Sequence, residues 1–197
     1  MPISAEYLLA VVRSYWRSDH EFDGKLERSP ETERFQGLWE EKLEKMDEWH
    51  VLLNELQAAL PQFGIGNATA TSDACFRCSV YTGREPVYSS QENEPLARRW
   101  VVVGCVSILT PVYAVYGVQY DYRGEERIAD RVFLDPLPLE MRAPAEVVAR
   151  KIETMFGVEA VPREIAEVRI PLIVGPHEPP DTTLFHALFT AWPESVP

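Results

Sequence analysis

Asp19, Glu21, Asp23 and Gly24 fall at positions one, three, five and six of an EF-hand-like loop, with Leu26 at position eight. A hard cation such as calcium needs that density of carboxylate oxygens, and the glycine permits the sharp turn between them. Position twelve, however, is Pro30 where a bidentate glutamate is required, and Glu31 comes one residue late. The pattern is incomplete, and no metal site is expected from it. A second candidate is Cys75-Phe76-Arg77-Cys78. A redox pair needs a helix N-terminus to stabilise its thiolate. Here polar and apolar residues alternate straight through both cysteines, which points them to opposite faces of a strand. Zinc would need two further ligands, and the sequence has neither a second C-x-x-C nor a close histidine pair. Cys105 reads as a small core residue.

The four histidines, His20, His50, His177 and His186, are scattered, and His177-Glu178 lacks the second histidine of H-E-x-x-H. There is no G-x-S-x-G elbow, no Walker loop and no G-x-G-x-x-G. Asp121, Asp130 and Asp135 sit on or beside strands, but residues 75–135 contain no lysine and no histidine to accompany metal-binding acids. No catalytic motif is complete. The expectation is therefore a non-enzymatic protein without a cofactor.

Charge offers another kind of function. The 197 residues carry 19 basic and 31 acidic side chains, a formal net charge of −12. Phosphate backbones and anionic membrane surfaces repel such a molecule, so neither a nucleic-acid nor a membrane partner is expected. Eight acids outnumber three bases between residues 31 and 60, and Glu40, Glu44 and Glu48 recur every fourth residue. Like charges at that spacing repel by a few tenths of a kcal/mol each. A helix face tolerating this is either solvated or built for a basic protein. Glu92 and Glu94, in a polar loop, extend the acidic set. Tyr116 and Tyr120 share one strand face beside Asp121 and suit an interface, or alternatively pack beneath helices.

The elements that must position these groups follow from periodicity. Ser4 caps a first helix reaching about Trp16. Ser29 and Pro30 open a second, in which Trp39, Leu43, Met46, Trp49, Leu53, Leu56 and Leu60 form one continuous apolar stripe ended by Pro61. After Gly66 the period becomes two. Strands are predicted near 74–81, 100–109, 112–122 and 127–134, joined by short turns except for the loop 82–98, which implies an antiparallel meander. Pro144 opens a third helix capped by Gly157, residues 166–172 alternate as an edge strand, and Asp181 caps a last short helix. The predicted order is ααββββαβα: one α+β domain over 1–197, with a helical part at 1–63. A curved, mostly antiparallel sheet and two further helices occupy 67–197, the helices packed on one side of the sheet.

The N-terminal Met-Pro-Ile-Ser-Ala-Glu-Tyr has neither the basic start nor the apolar core of a secretory leader, and three cysteines make no disulfide framework, so a cytoplasmic location is expected. In general character, over the whole chain, the sequence resembles the small bacterial immunity proteins that neutralise secreted toxins. Those are acidic, cytosolic, single-domain α+β proteins. The resemblance implies an antitoxin that binds a basic toxin or effector directly, and it assigns a role to no residue. The alternative reading is a small enzyme or ligand-binding domain with a pocket on the concave sheet face, near Tyr116, Tyr120 and Asp121.

Overall fold

The computed structural model describes residues 3–87 and 96–196. Helix α1 (Ala5–Val12) begins where Ser4 accepts a hydrogen bond from the Tyr7 amide, and it buries Leu8 and Val12. Helix α2 (Pro30–Leu43) begins where Ser29 accepts from the Thr32 amide, with Pro30 in the first turn. Each cap satisfies an otherwise orphaned donor and is worth about 1 kcal/mol.

The expected single long helix is in fact two. Helix α2 stops at Leu43, and α3 (Met46–Ala59) restarts after Lys45, whose φ of −108° and ψ of 20° leave the helical region. The reason lies in what each half must bury. Phe35 and Trp39 of α2 pack against Ala74 and Ile108, while Trp49, Leu52 and Leu56 of α3 pack on a separate cluster with Cys78 and Val102. A straight helix cannot reach both, so the chain bends and leaves Leu43 on the outside.

Strands β1 (Gly64–Asn67), β2 (Cys75–Tyr81), β3 (Glu85–Val87), β4 (Leu96–Ser107), β5 (Val112–Arg123) and β6 (Glu126–Phe133) are joined by antiparallel ladders in the order β1-β2-β4-β5-β6, with β3 beside the start of β4. Helix α4 (Leu139–Phe156) follows, ended by Gly157 at a left-handed φ of 62°. It starts five residues before the expected Pro144, which lies inside it. A two-residue strand, β7 (Glu159–Ala160), then runs parallel to the start of β5. Short helices α5 (Arg163–Ala166) and α6 (Leu184–Leu188) complete the order. The α+β class and the open, curved, mostly antiparallel sheet are as expected.

The predicted strand over 166–172 is not part of the sheet. Ala166, Ile170 and Leu172 are buried in alternation, but the segment makes only a single bridge, Arg169 to Thr183. Pro171 has no amide to give a ladder, and alternation here anchors an extended segment onto the core. The last helix is capped by Thr183 rather than Asp181.

Helices α3 and α4 form the expected layer on one face of the sheet, over Cys78, Val80, Val102 and Val106. The opposite face, with Cys75, Val101, Val103, Tyr116 and Tyr120, is covered by α1, α6 and the segment that follows, so helices pack on both sides of the sheet and not on one as expected. Residues 100–107 are therefore buried on both sides. Gly104 lets α4 approach: a Cβ there would lie 2.6 Å from Cγ1 of Val148, 2.9 Å from Cδ1 of Ile152 and 3.0 Å from Sγ of Cys78.

Candidate functional site

The bend between α2 and α3 projects two apolar side chains into solvent, Leu43 at 43% and Val51 at 49% exposure. Around them stand exposed carboxylates. Glu40 lies one turn before Leu43 on α2 and Glu44 follows it at the break, while Asp47 and Glu48 lie one turn before Val51. Glu41 is tied to Lys45 at 3.0 Å, a hydrogen bond that holds its carboxyl below the usual range. The acidic triplet predicted on one face, Glu40, Glu44 and Glu48, is exposed throughout. The break at Glu44 and Lys45 distributes it over two helices, so exposed acids and exposed apolar residues stand on both sides of a bend that also carries Lys42 and Lys45. Glu92 and Glu94 lie outside the described residues.

The predicted tyrosine contacts are placed elsewhere. Tyr116 and Tyr120 are fully buried, and their hydroxyls donate to backbone carbonyls of the chain's own closing segment: Tyr116 to Pro193 at 3.0 Å, Tyr120 to Glu194 and to Val196. That segment fills the space where a pocket on this face was expected. Burial raises the pKa of both phenols. Asp121 points to the other face, where its carboxylate accepts from Nε of Arg98 at 2.8 Å. Neither tyrosine is offered to a partner, while Asp121 is partly exposed and paired with Arg98; strand alternation reports the face of a tyrosine but not what covers it.

Beneath the same segment lies an ion pair that strand alternation disguised as an outward-facing residue. Arg77 and Asp73 meet at 3.2 Å, both almost wholly buried. Arg77 also donates to the carbonyls of Ala68 at 3.0 Å and Trp192 at 3.3 Å, while Thr190 donates to Asp73 at 2.9 Å. Burial pushes the Asp73 carboxyl up, against the opposing pull of Arg77 and Thr190. The pair staples residues 190–192 to the sheet.

The remaining candidate chemistry is absorbed by structure. Asp23 of the calcium-like loop is held by Arg17 at 2.6 Å and by His20 at 2.6 Å, and its pKa is lowered by those bonds. Cys75 and Cys78 belong to cores on opposite faces, as alternation predicts, and burial pushes the Cys78 thiol up to about 12. Among the described residues, no three His, Cys, Asp or Glu side chains gather as a metal site, and no helix is long and apolar enough to cross a membrane.

His177 and His186 stack face to face, their ring centroids 3.9 Å apart. Nδ1 of His186 accepts from the Thr183 amide in a capping box, and Nε2 of His177 lies 2.8 Å from the Ala191 carbonyl. Burial, and then the neighbouring His177, depress the His186 pKa from 6.5 to about 4. The unfolded chain therefore binds the extra proton between those values. This contribution to stability is complete above pH 6.5 and is lost as the pH falls towards 4. Over that window it amounts to about 2 kcal/mol after allowance for partial exposure. His186→Gln preserves a Thr-x-x-Gln capping box while removing the titration. Thermal unfolding followed from pH 7 to pH 4 should show a shallower decline in the variant than in the wild type. Parallel curves would disprove the assignment.

A cleft of about 590 Å³ opens at the sheet margin, lined by Ala114 and Val115 of β5, Ala145 and Ala149 of α4, and Val161 and Phe185. No sequence signal marks it, because it is formed by where two strands stop. Comparisons with protein-family models, with curated proteins and with solved structures find no match for this chain.

Proposed function

We propose that this chain is a non-enzymatic acidic binding protein of the bacterial cytoplasm, an immunity protein or antitoxin that occludes a basic toxin or effector. The observation carrying the reading is the α2–α3 elbow, where exposed Leu43 and Val51 sit among Glu40, Glu44, Asp47 and Glu48. Exposed acids near exposed apolar anchors complement a basic surface that also offers apolar contacts. The charge of −12 accelerates encounter at low salt, and the anchors, once covered by the partner, set the lifetime of the complex.

Immobilised wild-type protein should retain a basic protein from a lysate of the native host. The association rate of that pair should fall about tenfold or more between low and physiological salt. Replacing Glu40, Glu44, Asp47 and Glu48 together by lysine should abolish retention while leaving the melting temperature within a few degrees, since all four side chains are exposed. Retention that survives the fourfold reversal, or a rate indifferent to salt, would refute the elbow as the interface.

A further inference from the structure

Strand β5 loses its neighbour over a short stretch. On its outer edge β6 pairs with residues 117–123, and β7 with Val112 and Tyr113. No described strand pairs with residues 114–116 on that side. The Val161 amide donates to the Tyr113 carbonyl, so Tyr113 turns its backbone groups outward. Alternation then turns the N–H and C=O of Val115 the same way, into the cleft. Neither group has a hydrogen-bond partner among the described residues. A backbone donor and acceptor facing an apolar slot is the arrangement that water or a ligand must complete.

The slot's dimensions restrict the occupant. Gly117 is four positions beyond Tyr113, a rise of about 13 Å, and Phe133 of β6 and Ala160 of β7 close the two ends. A continuous strand from another protein cannot run through it in register, whereas a ligand of one to three residues fits. The walls are apolar: Ala145 and Ala149 from α4 on one side, Val161, Ala166 and Phe185 on the other. At about 590 Å³ the volume lies in the range of small-molecule sites.

Polar groups stand at the mouth. Arg163 is held by the Asp135 carbonyl and by Glu167 at 3.0 Å. Arg142 donates only through Nε, to the Leu137 carbonyl, and its terminal nitrogens meet no carboxylate among the described residues. Glu146 and the Asp135 side chain also border the opening. In a chain of net charge −12, an arginine with a free fork beside an apolar slot is suited to a carboxylate.

We infer that this cleft binds a small acylated amino acid or a very short peptide. Its amide pairs with the N–H and C=O of Val115, its apolar side chain lies between α4 and Phe185, and its carboxylate pairs with Arg142. The site shares no residue with the elbow and stands independently of the partner proposed for it.

The test is an NMR titration of the full-length ¹⁵N-labelled protein with N-acetyl-L-leucine, N-acetyl-L-leucinamide and acetyl-Ala-Ala-Leu. The Val115 amide should shift and saturate with N-acetyl-L-leucine at a Kd below about 1 mM. Arg142→Gln should weaken N-acetyl-L-leucine about tenfold and leave the leucinamide unchanged, and Ala149→Met should weaken both by narrowing the slot. The tripeptide should bind at least as tightly as the single unit if chain ends are the source, and more weakly if free acylated amino acids are. An unmoved Val115 amide overturns the site. Equal binding of the acid and its amide, or an Arg142→Gln variant that binds N-acetyl-L-leucine as the wild type does, overturns the carboxylate assignment. Both substitutions fall on the surface or rim, and a melting curve for each variant confirms that any loss is local.

Discussion

Arg77→Ala should lower the unfolding free energy by about 3–5 kcal/mol. The side chain ends in a site almost without solvent, facing Asp73 at 3.2 Å and two backbone carbonyls. Removing it strands a buried carboxylate and leaves the Trp192 carbonyl short of a donor. The loss comes from what is left behind, so the pair itself is worth much less than this figure. Asp73→Ala should show a comparable effect, and the double variant should lose much less than the sum of the two, because neither charge then remains without its partner. Urea denaturation of the three proteins measures this directly. A loss below about 1 kcal/mol for Arg77→Ala would mean that the pair is solvated and does not hold the closing segment.

Gly104→Val should cost about 3 kcal/mol. The added Cβ would fall 2.6 Å from Val148 and 2.9 Å from Ile152, both fully buried on α4, and the two further methyls have nowhere to go. The helix must slide off the sheet, opening contacts along much of its inner face. Gly117→Ala offers a contrast. Only one atom, the sulfur of the adaptable Met141 side chain, stands too close, and a single methyl is added, so its effect should be smaller. A melting temperature for Gly104→Val close to that of the wild type would show that α4 is not held at its spacing by Gly104.

What was legible in the sequence was local. Ser4 and Ser29 cap the helices they were expected to cap, because one side chain and one nearby amide decide the matter. The meander from β4 to β6 was legible because alternation and short turns leave few other pairings. The break between α2 and α3 was not, since no glycine or proline marks Glu44 or Lys45. The helix ends there because two clusters of the core lie in different directions, which is a property of the sheet beneath.

The same limit explains the site. Glu40, Glu44 and Glu48 were found as exposed acids, since solvation of a charged face is a local property. Tyr116 and Tyr120 read as a surface or as a core with equal justice until the segment after α6 is placed over them. Arg77 sits between apolar neighbours as an outward-facing residue would. Its burial depends on Asp73 close in sequence and on Trp192, which is 115 residues away. The cleft beside Val115 is an absence of pairing, and no run of residue types encodes an absence.

The closing segment also opposes the order of synthesis to the order of contact. Residues 73–120 emerge early and carry a guanidinium, a carboxylate and two phenols whose partners are residues 190–196. Until those later residues arrive, one side of the nascent sheet stays wet and polar.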